Sequence, residues 1–234
     1  MSRMYGYGWG FDSTFIVYVL PALLFALWAQ ARVSGAFNRY SRVRNSRNLS
    51  GADAARRLLD ESGLQDVRIA PTQGRLSDHY DPRDRTLYLS PDVYYQPSIA
   101  AVGIAAHEAG HAIQHGVGYA PLALRNNLVP VAQFGSTLAM PLFFLGIIMR
   151  AGFLMNFGII LFGAAVVFQV ITLPVEFNAS SRAIELLEGQ GYLAGDELQG
   201  ARAVLSAAAL TYVAATAMAL AQMLRLMALA RRRD

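Results

Sequence analysis

Residues 14–30, TFIVYVLPALLFALWAQ, run without a charged side chain. At 1.5 Å of rise per residue, a helix over them is long enough to cross the hydrocarbon core of a bilayer. Three more uncharged apolar runs follow, near 128–148, 152–174 and 204–224. In hydrocarbon every backbone N–H and C=O must be satisfied within the segment itself, so such runs are confined to helices. The expectation is a mainly α chain held in a membrane by three to four transmembrane helices. Composition agrees, with 54% hydrophobic and only 15% charged residues among the 234, where soluble domains carry about 25% charged.

Charge placement orients the chain. Trp28 suits an interfacial anchor, and Pro21 is expected to kink the first run. Ala29 and Ala31 stand at signal-cleavage spacing. The adjoining stretch, however, carries Arg32, Arg39, Arg42, Arg44 and Arg47 with no acidic residue among them. Translocating that cluster is disfavoured, so the first run reads as an uncleaved anchor with residues 32–127 cytoplasmic. Every basic residue is arginine and the net charge is +4. Their place beside an apolar run assigns them to membrane orientation rather than to nucleic acid. The break at Arg150 and Gly152 makes the middle runs a tight hairpin, which returns residues 176–202 to the cytoplasmic side. A fourth full crossing would leave Arg231–Arg233 outside, against the same bias. Spanning and interfacial placements of the last helix therefore both stay open.

Between the apolar runs the patterns shorten. Residues 51–62 read as an amphipathic helix with Ser50 as N-cap, Asp53 in its first turn and Gly63 as its stop. Val67–Ala70 and Thr86–Leu89 read as strands, separated by turn-rich sequence from Pro71 to Arg85. Residues 98–115, SIAAVGIAAHEAGHAIQH, are alanine-rich and read as a buried helix.

That helix holds His107-Glu108-Ala109-Gly110-His111, an HExxH motif. Residues four apart lie one turn up on one helical face, so two imidazoles can grip one ion. Glu108, offset by about 100°, can reach a water on the metal and act as its general base without competing as a ligand. Zinc lowers the pKa of such a water to about 7. Burying two imidazoles and a carboxylate in an apolar helix would otherwise be costly. The chain has no cysteine and only four histidines, so further ligands must be His, Asp or Glu. His115, eight residues after His107, does not fit the metzincin spacing and reads as a packing or accessory histidine. Glu176, emerging just after an apolar run, is the better third ligand, with Glu185 and Glu188 as alternatives in more polar surroundings.

AAHEAGHAIQH, LPVEFNASSRA and LSDHYDPRDRTLYLS together resemble the YugP-like family of neutral zinc metallopeptidases of bacterial membranes, from about residue 40 to the last helix. The resemblance implies one zinc per chain on His107, His111 and Glu176, with Glu108 catalytic. It also implies distant kinship with gluzincin-type membrane proteases of the HtpX kind. Those proteins commonly carry Glu-x-x-x-Asp, whose Asp orients a zinc-bound histidine. Here Ser180 holds that position, so either Ser180 or Asn178 supplies the orienting bond or the site is electrostatically weaker.

The expected organisation is an anchor at 1–31, a zincin-like α+β part at 32–127 and a transmembrane hairpin at 128–175. A helical segment with the third ligand at 176–204 and an apolar helix with a basic tail at 205–234 complete it. Thr86, Leu87, Tyr88 and Leu89 are expected to form the sheet edge on which a peptide adds. Arg182, His79 and Tyr212 are candidates for stabilising the oxyanion. The expected partners are the bilayer and peptide or membrane-protein substrates, with room for a regulatory membrane partner, and the place is the bacterial inner membrane. Two other readings compete. A site-2-type intramembrane protease would need an Asp ligand within 128–175, which has none, and a longer apolar lead into His107. A non-catalytic metal-binding scaffold or adaptor would have no need of Glu108.

Overall fold

The computed structural model describes residues 13–231; the start of the expected anchor and the last arginines of the basic tail lie outside them. The architecture is mainly α with a small sheet. The chain divides into two compact units, one made of the N-terminal residues through Trp28, Asn127–Val170 and the residues from Val213 onward. The other is made of Ala29–Asn126 and Ile171–Tyr212.

Among the described residues, four helices are long and apolar enough to cross a membrane: Phe15–Tyr40, Ala120–Met149, Gly152–Gly189 and Gly195–Arg231. The first opens with a π-helical turn at Phe15–Val19, closed by Leu20 N–H on the Phe15 carbonyl, and continues as α1 (Leu20–Tyr40). Pro21 has no N–H to give the carbonyl four residues back, and the irregular turn falls directly before it. In the same unit, α5 (Ala120–Met149) and α6 (Gly152–Gly189) turn on Arg150, whose φ is 53°. Small residues let their backbones close up. A Cβ on Gly158 would meet the Ala139 carbonyl at 2.7 Å, and one on Gly135 the Leu161 carbonyl at 2.6 Å. Phe143, fully buried, packs there with Met155 and Leu226 of α7 (Gly195–Arg231).

The second unit is built on local signals. In α2 (Gly51–Glu61) the Ser50 hydroxyl accepts from Asp53 N–H while Asp53 returns a bond to Ser50 N–H, a reciprocal cap. Gly63, at φ 75°, follows the helix end. The apolar face of α2, with Leu58 and Leu59 fully buried, joins Leu87, Leu89, Val93 and Val102 in one core. The strands are β1 (Arg68–Pro71), β2 (His79–Asp81) and β3 (Thr86–Leu89), in the order β1-β3-β2.

That order corrects two expectations. β3 pairs parallel with β1 and antiparallel with β2, so Thr86–Leu89 is the central strand and offers no free edge. Its burial says the same, with Leu87 and Leu89 fully enclosed. Alternation showed a strand at 86–89 but could not say how many neighbours it has. The edge beside it is β2, three residues inside the stretch read as turns, too short to show a period. A one-turn helix, α3 (Pro91–Tyr94), leads into α4 (Ile99–Gly116), whose Ser98 hydroxyl caps Ala101 N–H.

α4 crosses α6 at very short range. A Cβ on Gly110 would lie 2.8 Å from the Ala179 carbonyl and 3.3 Å from its Cα. Both neighbours are backbone, so α6 would have to move. Gly110→Ala is expected to destabilise this unit by about 1–3 kcal/mol, read as a lowered unfolding midpoint in detergent. An unchanged midpoint would show slack in the crossing.

Candidate metal centre

The crossing sets the site. His107 and His111, one turn apart on α4, have ring centroids 4.7 Å apart at 83°. Glu176 leaves α6 three residues before Ala179 and sends Oε2 to 3.4 Å from His107 Nε2 and 3.6 Å from His111 Nε2. Ligand atoms of all three fall within 4.8 Å of one another. Two observations test whether the group fits a metal. Glu176 Oε2 is buried and, among the described residues, has no hydrogen-bond partner, an expense few native carboxylates carry. Tetrahedral ligands about 2.1 Å from zinc stand about 3.4 Å from each other, which matches the two separations. The donor set of two imidazoles and a carboxylate fits zinc with one position left for solvent or substrate.

Each imidazole is oriented from behind. Arg182 only donates, and its Nε lies 2.8 Å from Asn178 Oδ1. Gln114 Nε2 donates to that same oxygen at 3.0 Å and to the Val175 carbonyl at 2.8 Å. The Gln114 amide is thereby fixed with Oε1 facing His111 Nδ1 at 3.0 Å. An acceptor there requires the proton on Nδ1, which leaves the Nε2 lone pair turned to Glu176 and the metal position. His107 Nδ1 stands 3.1 Å from Ser180 Oγ. So Asn178 and Ser180 each reach an imidazole, Ser180 directly and Asn178 through Gln114. Arg182 belongs to this orienting chain rather than to the cavity, which corrects its placement among the oxyanion candidates.

Gln114 escaped the sequence reading, although it lies three residues past His111 on the same helical face. It is fully buried. Gln114→Leu would keep the volume, remove the acceptor for His111 and orphan the Val175 carbonyl. Zinc affinity is expected to fall about 10–100-fold, measured by competition with a fluorescent chelator; equal affinity would show that the bond does not orient the ring.

A cavity of about 130 Å³ reaches two of the three ligands, His111 and Glu176, and is lined besides by Glu108, Tyr212, Arg125, Asn126 and the segment Asp78–Tyr80. Glu108, 8% exposed, faces it from α4. His79 and Tyr212 both line it, and Tyr212 interacts with the Glu176 carboxylate. His115 points elsewhere, its Nδ1 2.8 Å from Tyr80 Oη. Glu188 pairs with Arg202 and Glu185 borders a separate groove, so neither joins the ligand group. Asp78 and Arg125 were missed. Asp78 accepts from Ser90 N–H at 2.7 Å and from its hydroxyl at 3.0 Å. Burial pushes its carboxyl above the usual carboxylate range, the Glu108 charge adding to the effect against the Ser90 bonds. Arg125 did leave a signal, as the lone charge in the sequence of α5.

Burial opposes charge on His111, but the neighbouring Glu176 and Glu108 carboxylates and the Gln114 bond outweigh it and raise its pKa. With no ion bound, the charged ring then adds stability that is complete below about pH 6.5 and is lost as pH rises through the folded-state value. Zinc must displace that proton. Calorimetry in buffers of different ionisation enthalpy should show proton release on zinc binding at pH 7, and none from this ring in His111→Ala. Release undiminished in that variant would sink the assignment.

Comparison with known proteins places the chain. A family model described as "Putative neutral zinc metallopeptidase" matches residues 15–231. The "Putative membrane protease YugP" of Bacillus subtilis (strain 168) is 49% identical over 211 residues, covering 90% of this chain and 94% of the relative. No solved structure matches. The chain belongs to this family.

Proposed function

We propose that, as a member of this family, the chain is a multi-pass zinc endopeptidase of a bacterial inner membrane, with its active site on the cytoplasmic side. The observation that carries this reading is the buried, unbonded Glu176 Oε2 held 3.4 and 3.6 Å from two imidazole nitrogens, beside a cavity that Glu108 lines. His107, His111 and Glu176 would hold the zinc, one per chain. When bound, the ion would act as a Lewis acid that polarises a peptide carbonyl and acidifies water.

The residues supply the rest. Gln114 keeps the His111 Nε2 turned inward, and Ser180 holds the His107 ring from behind. Glu108 takes the proton of the attacking water and hands it to the leaving amine. The cavity excludes bulk water, which strengthens every charge interaction in it. β2 pairs with β3 along one side, and its His79 and Tyr80 line the cavity. A substrate strand adding to its other side would run past Glu108, the mode by which sheet edges take extended peptides.

Four crossings would put the loop from α1 to α5 and the turn from α6 to α7 on one face, with both termini on the other. The five arginines from Arg32 to Arg47 favour a cytoplasmic loop and outnumber the three of Arg231–Arg233, which this arrangement leaves on the opposite face against the same bias. Detergent-purified protein tests the reading. About one zinc per chain by mass spectrometry and chelator-sensitive cleavage of fluorescein-labelled casein are expected. Zinc without cleavage of casein or of membrane-tethered peptides would favour the scaffold.

A further inference from the structure

Arg125 enters the cavity from α5 on the same helical face as Leu122 and Asn126. Its Nη2 lies 3.9 Å from Glu176 Oε1, too far for a hydrogen bond. Its Nε is buried and, among the described residues, has no acceptor. A guanidinium carries five donors in a rigid fork, and leaving them unmatched beside a metal cluster is costly unless a ligand completes them. The other cation expected near the oxyanion, Arg182, is committed to Asn178. The cavity thus holds carboxylates at Asp78, Glu108 and Glu176, and one guanidinium with donors to spare.

We infer that Arg125 is a catalytic residue of the peptidase, donating to the oxygen that becomes an anion in the tetrahedral adduct, with Tyr212 beside it; this rests on the endopeptidase reading above. In that step the water oxygen bonds to the carbonyl carbon and its proton passes to Glu108. The carbonyl π pair moves onto oxygen, where Arg125 meets the new charge. Collapse restores the C=O bond and breaks C–N, and the amine leaves with the proton from Glu108. Proximity separates this role from recognition of a substrate's terminal carboxylate. That carboxylate would lie at least one residue, about 3.8 Å of chain, beyond the scissile carbonyl. Arg125 instead stands within 4 Å of a ligand carboxylate.

The test uses full-length, zinc-loaded protein in detergent, wild type beside Arg125→Lys and Arg125→Gln. Zinc content, affinity for a phosphinic dipeptide that mimics the adduct, and affinity for a dipeptide hydroxamate that only chelates are measured together. Full zinc, unchanged hydroxamate affinity and about 10²–10³-fold weaker phosphinate binding in Arg125→Gln, with partial recovery in Arg125→Lys, are the expected result. Equal phosphinate affinity in all three proteins would overturn the role, as would loss of zinc in both variants, which would make Arg125 a support for Glu176. If wild-type protein holds zinc but binds neither probe, the peptidase reading itself falls and this inference with it.

Discussion

Glu108→Gln is expected to leave zinc bound and cut peptide hydrolysis by about 10²–10⁴-fold. The substitution is nearly isosteric and lies outside the ligand group formed by His107, His111 and Glu176, so neither metal nor fold should be disturbed. What disappears is the base. An amide in that position cannot take a proton from water, and the cavity of about 130 Å³ offers only Asp78 as another carboxylate not engaged with the histidines. Asp78 is a poor substitute because both its oxygens are held by Ser90. The measurement is zinc stoichiometry and casein turnover on the same preparations. Activity within a few-fold of wild type would remove Glu108 from the mechanism; loss of zinc would show it holding the ligand cage together.

Glu176→Gln and Glu176→Ala should both strip the site. Four-ligand zinc sites are worth about 10–16 kcal/mol, roughly 3–4 kcal/mol per ligand, so loss of one corresponds to about 10²–10³-fold in affinity. Protein purified in micromolar zinc would then fall from about one ion per chain to a small fraction. Stability should follow, since an ion at 100 times its Kd contributes about 2.7 kcal/mol. The zinc-dependent rise in unfolding midpoint seen for wild type should vanish in both variants. Zinc retained in Glu176→Ala would overturn the third ligand.

Much of this arrangement was legible in the amino-acid order. The HExxH spacing sets two imidazoles on one face because four residues are nearly one helical turn. The uncharged runs had to be helices, and Ser50, Asp53 and Gly63 marked the ends of α2 because caps satisfy groups that no helix interior can. Glu176 was visible as a carboxylate at the edge of an apolar run. Arg125 carried the same signal without standing out, because a lone arginine near a membrane boundary also serves as an interfacial anchor.

The features that were not legible share a cause, that they depend on distances between segments far apart in the chain. Whether β3 was an edge or a centre turned on β2, a strand of three residues with no period of its own. Gln114 became an orienting residue only because Val175 and Asn178, 61 and 64 residues away, met its amide. Ser180 was a named candidate for the orienting bond, but that it meets His107 and not His111, across 73 residues, came from a crossing that Gly110 permits. Periodicity, capping and charge bias act over a turn or a bilayer width, and these the amino-acid order alone determined. The choice of Glu176 over Glu185 and Glu188, the partner behind each imidazole and the cavity were decided by how closely α4 and α6 approach, because ligand geometry at about 2 Å from an ion is set by packing across the tertiary fold.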